Sequence, residues 1–134
     1  MTTDPLKLAR FAPQAHGLLR IATALTFLSH GTAKLLGFPH LAAMPQPPLL
    51  SLFGIAGIIE IVGGLLVLVG LFTRPAAFVL AGEMAVAFWM VHAKAGLIPL
   101  VNMGESAYLF CFVFLFLAAA GPGAFAIERE VSTR

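Results

Sequence analysis

Four long apolar segments, each closed off by glycine and proline, organise this chain. They run over 17–37, 49–72, 75–93 and 105–120. Gly37, Pro39, Pro45, Pro47 and Pro48 mark the first break. Gly70 and Pro75 bracket a very short second one around Thr73–Arg74. Gly96, Pro99 and Gly104 mark the third, and Gly121-Pro122-Gly123 ends the fourth segment. A helix needs about 20 apolar residues to cross a bilayer's hydrocarbon core. The second and third segments meet this directly, and the fourth does so by running on toward Gly123. The first meets it if Arg20 and Lys34 extend their charged heads toward opposite interfaces. Phe110, Phe112, Phe114 and Phe116 alternate, but the residues between them are also apolar, so no polar face exists and a helix is expected.

The pattern therefore predicts an all-α polytopic membrane protein, a four-helix transmembrane bundle over 17–123. A tail over 1–16, with a short interfacial helix around 6–11, precedes it, and a second tail over 124–134 follows. The first segment holds Thr23, Thr26, Ser29 and His30, with no small-x-small cleavage site after it, so it is expected to stay in the protein.

Composition supports this picture. The 134 residues are 60% hydrophobic and 10% charged, against about 25% charged for a soluble domain. The net charge of +2 comes from singly scattered bases, which excludes a phosphate-tracking surface and hence a nucleic-acid partner. The single cysteine, Cys111, lies among phenylalanines and reads as a small buried hydrophobe. Lys7, Arg10, Arg74, Arg129 and Arg134 would share one side of the membrane with both termini, and only Lys34 and Lys94 the other. The positive-inside rule then places both termini in the cytoplasm.

Ionisable groups inside a membrane are costly and by default point to function. Arg20, Thr23, Phe27, His30 and Lys34 fall within an arc of about 80° on the first helix, a stripe that must face protein. Glu60 sits beside Gly57 and Gly64, small residues that let helices approach. By helical rise, Glu60 and Glu83 both lie roughly 15 Å deep, near the midplane. These positions suggest an internal polar seam: Lys34 and Glu105 outermost, then His30, then Glu60 and Glu83, with Arg20 reaching up from the inner side. A carboxylate at Glu105 would also be stabilised by the helix dipole. His16 and His40 read as loop residues, His92 as an outer-rim residue, and Trp89 and Tyr108 as interface anchors. His30 and His92 differ too much in depth to hold a haem. The acidic residues are too scattered for a metal cage, so no metal is expected.

The ordered blocks LLRIATALTFLSHGTAKLLGF (18–38), EIVGGLLVLVGLFTRPAA (60–77), AGEMAVAFWMVH (81–92), GESAYLF (104–110) and GPGAFAIE (121–128) resemble the DoxX family of small four-helix membrane proteins. The resemblance maps family positions onto Arg20, His30, Gly31 and Lys34, onto Glu60, Gly63, Gly64, Gly70, Leu71 and Arg74, and onto Glu105. It implies a multi-pass protein of the bacterial inner (plasma) membrane. It also implies an accessory subunit of a quinone-linked oxidoreductase system in redox or oxidant-stress homeostasis, with a quinone as ligand. The expected partners are the lipid bilayer, further copies of the chain, or oxidoreductase subunits that bring the electrons. A proton or small-solute carrier along the seam, and a membrane scaffold for other enzymes, are the alternatives. No self-contained catalytic motif is present.

Overall fold

The computed structural model describes residues 6–44 and 46–129. Pro5, Pro45 and Arg134, and with them the outer parts of both expected tails, lie outside the described residues. A short turn α1 (Leu6–Ala9) leads into α2 (Ala12–Leu36). Then come α3 (Leu52–Val69), α4 (Thr73–Ala87), a short α5 (Pro99–Asn102) and α6 (Glu105–Ala120). The described residues form helices and turns, with no strand among them. The alternating phenylalanines lie in α6, where Phe110 and Phe114 stack on one face, 6.0 Å between ring centres.

Local chemistry sets the helix ends. Pro13, in the first turn of α2, needs no N–H partner there, so the helix starts at Ala12, inside the stretch expected as tail. His16 consequently sits on a helix and not in a loop. Gly37 and Gly70 close α2 and α3 in the left-handed conformation, at φ 67° and 69°, where a side chain would be strained. The Ser51 hydroxyl caps α3 by accepting from the Gly54 N–H at 3.1 Å. α4 does not stop at Ala87. It widens into one π turn over Phe88–His92 and tightens into a 3₁₀ turn over Ala93–Ala95.

The bundle is built from two intimate pairs, α2 with α3 and α4 with α6, joined mainly across α3 and α4. Glycines permit the first pair. A Cβ at Gly31 would lie 2.8 Å from Ile61 Cγ1 and 3.1 Å from Glu60 Cβ; one at Gly64 would lie 2.8 Å from a Leu28 methyl. Between the pairs, Phe27 meets Phe110 and Phe114 edge-on, at 5.3 and 4.8 Å between centroids. Ala24, Val67, Leu80 and Leu117 are fully buried around it. The tight turn at Gly70–Phe72 lies at one end of the bundle, together with Pro13 and residues 124–128, which are hydrogen-bonded to one another and to it. The connections 37–51 and 96–104 lie at the other.

Polarity is inverted relative to a water-soluble fold. Arg20 and Glu60 are fully buried, while Leu18, Leu25, Ile55, Val62, Phe78 and Leu109 face outward. That arrangement suits hydrocarbon as solvent. Leu52–Val69 and Thr73–Ala95, with 18 and 23 residues, are long and apolar enough to cross it unaided. α6 is apolar but 16 residues long. α2 has the length, at 25 residues, and turns its charged stripe inward. The chain is an all-α helical membrane bundle.

The glycine contacts can be checked directly. Gly31→Ala forces Ile61 and the Glu60 stem aside and should destabilise the bundle by about 1–3 kcal/mol. Gly82, with open space around its missing Cβ, should accept alanine neutrally or with a gain of about 0.5–1 kcal/mol in helix propensity. Thermal unfolding of the two variants in the same detergent checks both.

Candidate functional site

The ionisable side chains of the interior separate into two groups. The first surrounds Glu60, midway along α3. The close approach at Gly31 and Gly57 brings α2 against this face of α3. The Lys34 ammonium thereby donates to Glu60 Oε1 at 2.6 Å. Glu60 is 2% and Lys34 16% exposed at the side chain, so the pair is screened from solvent far more than a surface ion pair would be. Glu83, from α4, lies within electrostatic range of both. Its two carboxylate oxygens and Glu60 Oε2 are buried with no hydrogen-bond partner among the described residues. His30, one helical turn before Lys34 and within its electrostatic range, is half-buried and stands edge-on to the Phe110 ring at 5.7 Å.

The charges of this cluster do not balance. One ammonium faces two carboxylates, and three carboxylate oxygens lack a donor. An uncompensated carboxylate in a low-dielectric interior is strongly disfavoured. Neutrality therefore requires one further positive charge on Glu60, Glu83 or His30, as a proton or as a small cation. Such a cluster can accept and release a proton inside the membrane.

The second group surrounds Arg20, at the end of the bundle that carries the termini. Its Nε donates to Pro122 O at 2.9 Å. One terminal nitrogen donates to Val67 O and Leu68 O at 3.3 and 3.2 Å, and the other to Ala124 O and Phe125 O at 3.0 and 2.8 Å. All the acceptors are backbone carbonyls, from the last turn of α3 and from the segment after α6. That segment, 121–129, is a strap. The Ala124 N–H donates to Pro13 O, Ile127 to Val69 O and Glu128 to Gly70 O. The Glu128 carboxylate accepts from the Thr73 N–H at 3.0 Å. His16 contacts Gly121 O at 2.8 Å and the Phe116 ring at 4.9 Å. Arg74 donates to the carbonyls of Ala118 and Ala119, closing the end of α6.

Two of the six expected seam residues are thus placed elsewhere. Arg20 does not reach toward Glu60 or Glu83; the carbonyls of the strap and of the end of α3 satisfy all its donors at its own depth, so reaching upward would strand them. Glu105 is exposed at the start of α6, and Lys34 pairs inward with Glu60 instead. His30, Lys34, Glu60 and Glu83 remain together. The sequence reading missed Glu128, His16 and Asn102. The stretch 124–129, expected as tail, is folded structure. A buried arginine with no carboxylate at its own depth on the four apolar helices was the available signal, since it needs acceptors from some non-helical segment.

A family model described as DoxX matches residues 16–93. The chain is 42% identical over 131 residues to an uncharacterised protein of Haemophilus influenzae, covering 92% of this chain and 95% of that protein. It is 30% identical over 124 residues to the inner membrane protein YphA of Escherichia coli, covering 84% and 87%. It is 28% identical over 131 residues to the uncharacterised membrane protein Rv3486 of Mycobacterium tuberculosis, covering 87% and 80%. No solved structure matches it.

Removing Lys34 should expose the imbalance. Lys34→Met leaves Glu60 buried and unpaired and should cost about 3–5 kcal/mol. The double variant Lys34→Met with Glu60→Gln should recover most of that loss, because the one remaining acid, Glu83, is neutral when protonated. At the other end, Arg20→Lys should not rescue what Arg20→Ala loses, since one ammonium cannot reach five carbonyls. Unfolding in a common detergent reads all of these.

Proposed function

The chain belongs to the DoxX family, and from that premise we propose that it is a proton-exchanging subunit of a quinone-linked oxidoreductase system in the bacterial inner membrane. The observation that carries this reading is the set of three unpartnered carboxylate oxygens beside a single ammonium. A site that needs one more proton for neutrality, held at mid-depth in hydrocarbon, is what reduction of a lipid-soluble hydrogen carrier requires.

A quinone is such a carrier: it dissolves in the bilayer and takes up two protons with two electrons when reduced. The residues present suit its head group. A protonated Glu83 would donate to a quinone carbonyl, and the carboxylate form would accept from a hydroxyl of the reduced head group. An open apolar groove of about 520 Å³ lies between α3 and α4, lined by Ile59, Val62, Gly63, Leu66, Val79 and Leu80. It comes within one helical turn of Glu83 and suits an apolar tail. Lys34 holds Glu60 in place. Glu83 gives or receives the proton at a carboxylate oxygen. His30, beside Lys34 at the seam with Phe110, returns it toward the aqueous side. Electrons come from a partner subunit.

The same reading gives four membrane crossings with both termini in the cytoplasm. Lys7, Arg10, Arg74 and Arg129 gather at the termini end. The name of the relative from Escherichia coli, an inner membrane protein, agrees with an inner-membrane location. Alkaline phosphatase fused after residue 129 should be inactive in cells, and fused within 40–44 should be active; the opposite pattern would invert the topology.

Binding tests the function. Decylubiquinone, a short-tailed quinone, should quench the single tryptophan, Trp89, saturably in purified protein. Glu83→Leu, which can no longer donate a proton to a quinone carbonyl, should weaken that binding about tenfold, the loss of roughly one hydrogen bond. Absence of saturable binding by the native protein would refute the quinone reading. Proton flux into quinone-free liposomes, lost in Glu60→Gln and Glu83→Gln, would replace it with a proton carrier.

A further inference from the structure

At the end of the bundle away from the termini, the chain between α4 and α6 is built the opposite way from a loop in water. Its polar groups turn inward. The Asn102 side chain, 4% exposed as a residue, donates to Gly96 O at 2.8 Å, and its Oδ1 accepts from the Gly104 N–H at 2.8 Å. The ring nitrogen Nδ1 of His92, on the π turn, lies 3.1 Å from Asn102 O. The N–H groups of Val101 and Asn102 both donate to Ile98 O, and that of Gly104 also reaches Pro99 O. Its apolar side chains point outward: Leu97, Ile98, Leu100, Val101 and Met103 are between 64% and 83% exposed.

Helix lengths give this segment a depth. Arg74, at the start of α4, donates to Ala118 and Ala119 at the end of α6, so those two helix ends are level. From there Thr73–Ala95, with 23 residues, rises about 34 Å, and the 16 residues of α6 span about 24 Å. The chain must therefore descend about 10 Å, by the same rise, from the far end of α4 to the start of α6. With those level ends set at the inner surface of a hydrocarbon core about 30 Å thick, α6 starts about 6 Å below the outer surface.

We propose that residues 96–104 form a re-entrant element that dips into the outer leaflet and contacts lipid acyl chains with Leu97, Ile98, Leu100, Val101 and Met103. Lipid admits non-helical backbone only where its polar groups are satisfied within the protein. Asn102 and His92 meet that requirement by tying up carbonyls and N–H groups that water would otherwise serve. The charged residues flanking the segment, Lys94 and Glu105, are exposed, and Lys94 has the reach to place its ammonium at the head groups. The occupant of this apolar surface is the bilayer itself. The lipid-facing side of α4 and its π turn, with Trp89, Met90 and Val91 exposed, continues directly into it. This inference is independent of the quinone reading.

A nitroxide attached through Leu100→Cys, in a Cys111→Ala background in liposomes, reports the solvent at that point. Relative to the same label at Lys7→Cys, its ratio of collisions with oxygen over collisions with a water-soluble nickel chelate should be higher by about tenfold, as for a site in hydrocarbon. A ratio equal to that at Lys7→Cys would overturn the proposal. Protection from both reagents would overturn it too, because protein and not lipid would then cover the segment. Should the cysteine variant not fold, Met103→Trp in a Trp89→Phe background should be quenched by brominated acyl chains, and lack of quenching would count against it equally. In the labelled protein, Asn102→Ala should shift the ratio toward the value at Lys7→Cys, and an unchanged ratio would remove Asn102 from its role.

Discussion

A guanidinium in hydrocarbon must find an acceptor for each of its donors inside the protein, and Arg20 finds them in five backbone carbonyls. Three belong to the strap after α6 and two to the last turn of α3. One side chain thus fastens α2, α3 and the C-terminal segment at a single point, where no water competes for the same groups. The Ala124, Ile127 and Glu128 N–H groups complete the closure by pairing with Pro13, Val69 and Gly70. Two other polar side chains follow the same rule. Asn102 serves backbone groups at the far end, and Arg74 serves the carbonyls that end α6.

The Glu60 cluster departs from this rule. Elsewhere in the interior, charged and amide side chains are matched to partners. Around Glu60, three carboxylate oxygens have none. A bundle held together only by packing would be served better by leucine at both Glu60 and Glu83, since buried ion pairs add little to stability. Retaining two acids beside one lysine at mid-depth makes sense for a site that exchanges a proton or receives a hydrogen-bond donor. Arg20 is thus saturated with partners and Glu60 is not, though the two residues are equally buried.

Glycine makes this site. Gly31, Gly57 and Gly64 let α2 and α3 approach until Lys34 reaches Glu60. The bulky aromatic contacts of Phe27, Phe110 and Phe114 sit in the space between the two helix pairs. His30 lies at the border of the two regions, against Phe110 and one turn from Lys34. A tight helix pair therefore fixes the ion pair, and a looser aromatic seam leaves the histidine half-exposed.

The sequence by itself determined the four apolar helices, their breaks at Gly37, Gly70 and Gly121, and the inward turn of the stripe on α2. Each of these follows from local chemistry: segment length, helical periodicity, and the cost of placing charge in lipid. It also singled out Glu60 and Glu83, because a lone carboxylate in a long apolar run stands out whatever surrounds it. The partners of those charges were decided only by tertiary structure. Helical spacing fixes which face a residue occupies, but it says nothing of which neighbour stands at the same height. Lys34 could as well have met Glu105, and Arg20 could have met Glu60. The close approach at Gly31 and the folding back of 121–129 chose otherwise, and both depend on how helices far apart in sequence stack against one another.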